Sequence, residues 1–177
     1  TTDPHSLNTL RNEYSWNGNA KPVEHYTKLL LELFESGKLQ VKNKLSHYRV
    51  TYHDPCYLGR YNGEYDAPRK LLRLMGVSFV EMPRNCENSF CCGAGGGQIW
   101  LGVTPAGERP AENRIREALT TFGASGTSSG KTLFIVSCPK DVVMYTDAVK
   151  TTGSEDKIEV WDVIQLVEEA IGLERIA

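Results

Sequence analysis

The stretch LFIVSCPKDVVMYTDAVK, residues 133–150, joins a short apolar run to a longer segment that mixes polar and apolar residues. Leu133–Val136 is wholly apolar, which is typical of a strand buried on both faces of a parallel sheet. This strand ends at Ser137-Cys138-Pro139, and a helix is predicted over Lys140–Lys150. The strand and the helix that follows it are one unit of the alternation found in α/β folds.

The same alternation extends through the rest of the chain. Further strands are predicted over His47–His53, Val77–Met82 and Ile158–Trp161. Helices are predicted after Pro4 and over Pro22–Phe34, Pro68–Met75, Pro110–Phe122 and Val163–Ile171, with Gly76 as a C-cap. We therefore expect an α/β fold, with an open parallel sheet of about four strands flanked by helices.

Length and composition are those of an ordinary globular domain. The chain has 177 residues, of which 40% are hydrophobic and 24% charged, so a single domain over 1–177 is expected. A net charge of −2 gives no reason to expect a nucleic-acid partner. No apolar run reaches the roughly 18 residues of a membrane span. Because the chain begins at Thr1 without methionine, we expect it to be the C-terminal part of a longer protein.

Cysteines follow the predicted strands. Cys56 and Cys138 come just after two strands, and Cys86, Cys91 and Cys92 lie in the loop after Val77–Met82. Without an export signal, thiolate ligands are favoured over disulfides. Ligands of open α/β sheets bind at the carboxyl ends of the strands. We therefore expect Cys56, Cys91, Cys92 and Cys138 to meet at one site.

The loop at residues 88–97 reads NSFCCGAGGG, two adjacent cysteines followed by four glycines within five residues. Neighbouring thiolates repel one another, so a metal or iron–sulfur centre between them is the favoured explanation. Gly93, Gly95, Gly96 and Gly97 would let the backbone approach such a cofactor and would direct N–H groups at sulfur. The alternative is a pair of small buried residues before a flexible turn.

Several segments together resemble the cysteine-rich CCG domain of the heterodisulfide reductase-like iron–sulfur oxidoreductase family. They read TYHDPCYLGRYN, APRKLLRLMG, VEMPRNCENSFCCGAGGGQIW, ENRIREAL and VSCPKD and cover most of the chain. The resemblance implies an iron–sulfur electron-transfer domain of a membrane-associated oxidoreductase, with this segment on the cytoplasmic side. It would pass electrons between a flavin or iron–sulfur partner and a quinone or disulfide. Implied partners are electron-transfer flavoprotein or a ferredoxin-like cluster domain.

The resemblance also implies a ligand set. Cys56 would be the first ligand, Cys91 and Cys92 the pair, and Cys138 the start of the closing motif. Some relatives use a fifth cysteine to hold a non-cubane cluster, and that position is Asp141 in this chain. Four thiolates suit an ordinary [4Fe–4S] cluster, so both cluster types stay open. Asp141 as an oxygen ligand and Cys86 as a fifth sulfur are the less certain candidates.

Charged and aromatic residues near the cysteines admit two interpretations each. His53 would donate a hydrogen bond to cluster sulfur or deliver a proton, or would serve strand-end chemistry together with Asp54. Arg69 would neutralise the cluster or form a structural ion pair, and Arg60 and Lys140 pose the same choice. Trp100 is predicted to pack in the core beside the glycine loop. We expect loop or helix-surface positions for three further histidines: His5, His25 and His47.

The N-terminal stretch TTDPHSLNTLRNEY is similar to the closing motif of a preceding copy of the domain. Asp3 and Ser6 would stand at its cysteine positions, and Asp3-Pro4 would match Cys138-Pro139. Residues 1–46 are therefore predicted to be the tail of a degenerate internal repeat plus a connecting helix. Thr1 would end a strand that completes the sheet.

Two other functions remain open at this point. A metal-free thiol–disulfide module would use Cys91 with Cys92 or Cys86, although a disulfide between adjacent residues is strained. A structural zinc domain would use four cysteines, although paired Cys-x-x-Cys spacings are missing. Whether the chain catalyses a reaction itself also stays open.

Overall fold

The sheet is parallel throughout and has four strands in the order β2-β1-β3-β4. The structure is a computed structural model that describes residues 1–16, 18, 22–101, 107–124 and 131–173. The strands are β1 Tyr48–Tyr52, β2 Ser78–Phe79, β3 Lys131–Val136 and β4 Glu159–Asp162. Val50 pairs with both Phe79 and Leu133, and Ile135 pairs with Trp161. The predicted open parallel α/β sheet is confirmed.

Helices alternate with these strands. They are α1 Pro4–Asn8, α2 Tyr26–Glu35, α3 Asp66–Met75, α4 Pro110–Ala124, α5 Pro139–Thr151 and α6 Val163–Ala170. A π-helical segment, Thr9–Glu13, continues α1. Gly76 ends α3 in the left-handed conformation, as predicted. Among the described residues, every helix is too short or too polar to cross a lipid bilayer.

Helices cover both faces of the sheet, giving three layers. One face packs against α2, α3 and α6 through Leu31, Leu71, Leu72, Met75, Val163 and Leu166. The other packs against α4 and α5 through Ala111, Ile115, Ala118, Phe122, Tyr145 and Ala148. Alternate residues of β3 point to opposite layers, so Leu133 and Ile135 join the first core and Phe134 and Val136 the second. This double burial explains why the Leu133–Val136 part of β3 is wholly apolar.

Two predicted boundaries differ from the structure by more than two residues. α2 begins at Tyr26 rather than at Pro22, because His25 is extended and precedes the first helical turn. β2 ends at Phe79 rather than at Met82. Val80 still donates to the carbonyl of Val50 (2.9 Å), after which the chain leaves the sheet towards Pro83. The predicted loops at 16–21 and 123–131 lie largely outside the described residues.

Two packing predictions are wrong. Trp100 is 85% exposed, because it ends the surface 3₁₀ turn Gly95–Trp100 and has no core beneath it. Thr1 lies outside the sheet: its ammonium group donates to the carbonyl of Glu24 and its own carbonyl accepts from the amide of Tyr26. These bonds dock the N-terminus beside the start of α2. Asp3 and Cys138 do occupy matching places, each as N-cap before a proline-initiated helix, while the duplication itself stays a prediction.

Candidate metal centre

The carboxyl edge of the sheet carries the cysteine-bearing loops. Cys56 follows β1 by four residues, in a turn where the carbonyl of Pro55 accepts from the amides of Leu58 and Gly59. Cys138 follows β3 and is the N-cap of α5. The loop that leaves β2 brings Cys91 and Cys92 to the same edge.

Three of the thiols form one hydrogen-bonded group, which we call the three-thiol group: Cys56, Cys91 and Cys92. The Cys91 sulfur accepts from the Cys56 thiol, from the Cys92 thiol and from the amide of Gly93 at 3.3 Å. These bonds, the one from Cys56 foremost, lower the pKa of Cys91 to about 2. The same bonds to Cys91, together with burial, raise the pKa values of Cys56 and Cys92. The thiols of Cys56 and Cys92 therefore stabilise the thiolate form of Cys91.

Cys138 and Asp141 lie together at the N-terminus of α5. The amides of Asp141 and Lys140 donate to the Cys138 sulfur, while burial and the Asp141 charge raise the pKa of Cys138 to about 12. The Asp141 side chain interacts in turn with Cys92 by a hydrogen bond. Burial raises the pKa of Asp141 to about 7. Asp141 thus connects Cys138 to the three-thiol group.

One oxygen of this site has no protein partner. Asp141 Oδ2 is buried and makes no hydrogen bond within the described part of the chain; His53 Nε2 lies 3.6 Å away. An unsatisfied buried acceptor costs about 1–3 kcal/mol, more if charged. A cation held by the neighbouring sulfurs would satisfy it, and thiolates are the donors that thiophilic metals and iron–sulfur clusters prefer. The residues present therefore fit a metal–sulfur group.

His53 lies behind this oxygen and is almost fully buried. Both of its ring nitrogens are 3.2 Å from the hydroxyl of Tyr145. Burial, with a contribution from the Arg114 charge, lowers the pKa of His53, so the ring is neutral. Its hydrogen-bond partner in the structure is thus Tyr145, with Asp141 as a close neighbour, and a hydrogen bond to cluster sulfur stays a prediction.

Three of the four glycines in the loop adopt a left-handed backbone conformation that favours glycine. Gly93, Gly96 and Gly97 have φ values of 86°, 62° and 80°, in the region that other residues rarely adopt. A Cβ on Gly93 would also lie 3.2 Å from the Pro110 ring. Gly95, Gly96 and Gly97 are exposed, and a Cβ there would meet nothing within 4 Å. Their contact with a cofactor stays a prediction, whereas the amide of Gly93 does reach sulfur.

Cys86 belongs to a different network from the three-thiol group. Its amide donates to Asp54 Oδ2 at 2.8 Å, and the charges of Arg69, Asp54 and Glu81 act on its thiol. Arg69 donates to both Asp54 oxygens (2.6 and 2.8 Å) and to both Glu81 oxygens (2.6 and 3.1 Å). The structural interpretation of Arg69 and Asp54 therefore describes them better than a direct role at the site.

Sequence reasoning missed two residues beside Cys138. The ligand atoms of Asp3, His5 and Cys138 lie within 4.8 Å of one another. Lys140 donates to Asp3 Oδ1 at 3.0 Å and lies 3.4 Å from His5 Nδ1. Because an ammonium group already serves both side chains, we assign them no metal. The match of Asp3-Pro4 to Cys138-Pro139 was the available signal.

The histidines expected at loop or helix-surface positions differ in burial, and His47 is the exposed one, with 58% of its side chain accessible. His5 lies on α1, is half-buried and stacks on Tyr57, with ring centroids 4.2 Å apart. His25 lies in a loop but is fully buried, with Nδ1 2.8 Å from the Thr27 hydroxyl. A histidine's polarity says little about its burial when both ring nitrogens find partners, which is why its loop position did not indicate the burial of His25.

Comparison with known proteins identifies the family that the sequence resembles. Residues 50–131 match the family model described as a cysteine-rich domain, CCG. The chain carries a CCG domain. The sequence resemblance is thereby confirmed, and it extends beyond the matched residues in individual relatives.

Three relatives illustrate the range of the CCG domain. The "Probable iron-sulfur-binding oxidoreductase FadF" of Bacillus subtilis is 40% identical over 97% of this chain and 23% of its own length. The "EtfAB:quinone oxidoreductase" of Syntrophomonas wolfei is 34% identical over 95% of this chain and 23% of its own length. A component of the "Dihydromethanophenazine:CoB--CoM heterodisulfide reductase" of Methanosarcina barkeri is 38% identical over 88% of this chain and 36% of its own length. The chain thus spans between a quarter and a third, roughly, of these relatives.

Proposed function

We propose that this CCG domain is an iron–sulfur electron-transfer domain of a heterodisulfide reductase-like oxidoreductase. The observation that carries the proposal is the buried oxygen of Asp141 without a hydrogen-bond partner in the described part of the chain, at the helix N-terminus that Cys138 caps and beside the three-thiol group. Relatives named as an iron–sulfur-binding oxidoreductase and as a component of a heterodisulfide reductase support it.

Four sulfurs are the proposed ligands: Cys56, Cys91, Cys92 and Cys138. Asp141 would supply an oxygen at the fifth position, and Cys86 would stay outside the site because its thiol faces the Arg69 network. The cofactor would be a [4Fe–4S] cluster or its non-cubane variant. When bound, it supplies one-electron redox chemistry at a potential set by its ligands, its hydrogen bonds and its exposure to water.

The chain's own groups would stabilise negative charge on the sulfurs. The amide of Gly93 donates to Cys91 at 3.3 Å, and the amides of Ala94, Lys140 and Asp141 oppose the rise in the pKa values of Cys92 and Cys138. The last two amides belong to the N-terminal turn of α5, where the helix dipole also favours negative charge. Hydrogen bonds to ligand sulfur raise the reduction potential of metal–sulfur centres. We therefore expect these amides to favour the reduced state.

The partners are proposed from what the relatives are called. One is named EtfAB:quinone oxidoreductase, and another, from Chromohalobacter salexigens, is named a probable membrane-anchored ferredoxin. For this chain we propose a flavin or ferredoxin-like cluster as electron donor, with electron-transfer flavoprotein as the flavin candidate. The acceptor would be a quinone or a disulfide. Membrane attachment would come from a region outside this chain, with the CCG domain on the cytoplasmic side.

Anaerobic reconstitution of the chain with ferrous iron and sulfide tests the proposal. Iron, zinc and acid-labile sulfide are measured per chain, with absorbance in the thiolate-to-iron charge-transfer region and paramagnetic resonance after dithionite reduction. We expect a coloured protein that binds iron and sulfide. Cys138→Ser should lose or markedly change the spectrum, whereas the matched variant Cys86→Ser should keep it. A colourless wild-type chain without iron would contradict the proposal.

A second candidate function is metal-free thiol–disulfide chemistry, favoured by the contact between the Cys91 thiolate and the Cys56 thiol. Oxidation of this pair would form one S–S bond and release two electrons and one proton; a disulfide or quinone acceptor would take these together with a second proton from solvent. The Cys56–Cys91 pair differs from the partners expected from sequence, Cys92 and Cys86. Thiol titration before and after a reductant, on the iron-free chain, would show loss and recovery of two thiols if this function holds.

A further inference from the structure

Arg114 is a charged residue that the fold buries completely. It lies on α4, its exposed fraction is 0%, and it is among the largest fully buried side chains of the described residues. Arginine is almost never fully buried unless it is paired and hydrogen-bonded, since moving a charge out of water is costly. The identity of its partners is therefore informative.

The protein satisfies only part of this guanidinium group. Nη1 donates to Glu117 Oε2 at 2.8 Å, but Nε and Nη2 are buried with no hydrogen-bond partner in the described part of the chain. Glu117 is shared, because Arg84 also donates to the same carboxylate at 2.8 Å. Two arginines thus share one carboxylate. The environment of Arg114 carries an excess of positive charge and two unused donors.

Arg114 lies on the same side of the sheet as the cysteines. Its helix packs in the core layer that includes Cys92 and Ala94, and the start of this helix, Pro110, lies against Gly93. Beside burial, the Arg114 charge lowers the pKa of His53 and the Cys91 thiolate raises it, so both charges act on one buried ring. Arg114 is therefore a fully buried charge on the helix that packs in the core layer of Cys92.

The two unsatisfied buried groups of this region have opposite charge. Asp141 Oδ2 belongs to α5 and the two unused donors of Arg114 belong to α4, and both helices pack in the same core layer. In that layer His53 and Tyr145 are hydrogen-bonded to each other, and His53 Nε2 is 3.6 Å from Asp141. A cation would satisfy the buried carboxylate oxygen of Asp141, and an anion would satisfy the unused guanidinium donors of Arg114. A metal–sulfur centre held by thiolates provides both, with metal ions for the carboxylate and net negative charge for the guanidinium.

We infer that Arg114 is the buried counter-charge of the anionic metal–sulfur centre and that it raises the reduction potential of that centre. The inference rests on the proposed function. Arg114 is a positioning residue in this role, acting through space and through His53 and Tyr145 and not as a ligand. Reduction adds one electron and makes the centre more negative, so a fixed positive charge in a low-dielectric region favours the reduced state.

The test is the midpoint potential of the reconstituted chain, followed by optical or paramagnetic-resonance titration against dithionite. Arg114→Gln should shift the potential to more negative values, by about tenfold in the one-electron equilibrium or ~59 mV. Arg114→Lys keeps the charge and should stay near wild type. Arg116→Gln is the matched control, since it lies on the same helix but its side chain is 63% exposed and pairs with Glu108.

A second variant covers the case in which Arg114→Gln does not fold. Glu117→Gln removes the negative charge beside Arg114 and should shift the potential to more positive values. A potential for Arg114→Gln equal to that of Arg116→Gln overturns the inference and leaves the proposed function standing, and so does an unshifted Glu117→Gln. A wild-type chain that takes up no cluster overturns both.

Discussion

His53 and Asp54 are consecutive residues at the end of β1, and they enter two different polar networks in opposite layers of the molecule. Asp54 faces α3, where Arg69 donates to both of its oxygens and a backbone amide completes the set. His53 faces α5, where Asp141 Oδ2 has no hydrogen-bond partner in the described part of the chain. Arg114, on the same side, leaves two donors unused.

The difference distinguishes a network that supports the fold from a network that forms part of a binding site. A network whose members are all hydrogen-bonded holds the backbone in one conformation, and nothing further is needed to explain it. A buried network with unsatisfied groups of both signs is costly to form and indicates a ligand that completes it. The Asp54 network fixes the loop that carries Cys86. The His53 network is incomplete where the other cysteines converge.

Removing Arg69 should give the largest loss of stability. Arg69→Met leaves Asp54 buried without its counter-ion, and breaking a buried pair costs about 3–5 kcal/mol. Urea unfolding of the metal-free chain, followed by circular dichroism, measures the effect. Arg73→Met is the control, since it lies on the same helix but is exposed. Equal losses for the two variants would show that the Asp54 network does not hold the fold.

The pH dependence of stability extends the comparison to His25, a buried histidine whose two nitrogens both have partners. Burial lowers its pKa to about 4 from an ordinary 6.5. The unfolded chain therefore binds the proton more tightly, so stability is full above pH 6.5 and falls as the pH drops towards 4. The loss from this group is about 3 kcal/mol at most.

His25→Asn should reduce the change in the free energy of unfolding with pH, measured by urea titrations at several pH values. A part of the pH dependence should remain, because His53 is also buried and neutral. His47→Gln, at an exposed position, is the control for replacing a histidine. If His25→Asn retains the full wild-type slope, His25 is not the group that titrates.

Replacing Arg114 should cost little in the metal-free chain, which is the sharpest contrast with Arg69. Arg114→Met removes one hydrogen bond to Glu117, which keeps Arg84, and it also removes two unsatisfied donors. The two effects oppose each other, so a change of about 1 kcal/mol or less is expected. The same urea measurement checks it. A loss as large as that of Arg69→Met would reveal a protein partner for the guanidinium.

Cys86→Gly should have the smallest effect. Cys86 has a φ of 50°, a conformation that costs a side-chain-bearing residue about 1 kcal/mol and costs glycine almost nothing. Part of that gain is lost to the freer unfolded chain, leaving a stabilisation of about 0.5 kcal/mol. Cys86→Ala, which keeps the strain, is the control. Iron content after reconstitution should be unchanged in both variants, and a loss of iron would return Cys86 to the site.

Much of the fold was predictable because β3 and the amphipathic helices leave clear patterns. Leu133–Val136 is apolar at every position, as a strand covered on both faces must be, and Gly76 marks the end of α3. The placement of Cys56 and Cys138 after neighbouring strands followed from the same logic, since parallel strands present their carboxyl ends at one edge, while the site of four cysteines stays a prediction. The exposure of Trp100 was not predicted, because a large aromatic residue beside glycines gives no signal of which side of the turn it occupies.

The chemistry between these elements was less predictable. The contact of Cys56 with Cys91 depends on the path of the loop after β2, which no periodicity specifies. Arg114 lies between Ala111 and Ala118 on the buried stripe of α4, so its spacing was a signal, but its charge suggested an exposed position. Burial of a charge is decided by partners distant in sequence, and these appear only once the layers are assembled.

Asp141 lies in the first turn of α5, where the N-cap Cys138 and the ring of Pro139 fix the start of the helix. The helix therefore fixes the direction of the Cβ of Asp141. The type of side chain determines only whether an oxygen or another atom lies towards the cysteines. The position of the donor atom and its chemical type can therefore change independently. An exchange of aspartate for cysteine would alter the affinity for different metals while the main chain keeps its course. Ligand chemistry at this edge can thus diversify by single substitutions on an unchanged scaffold.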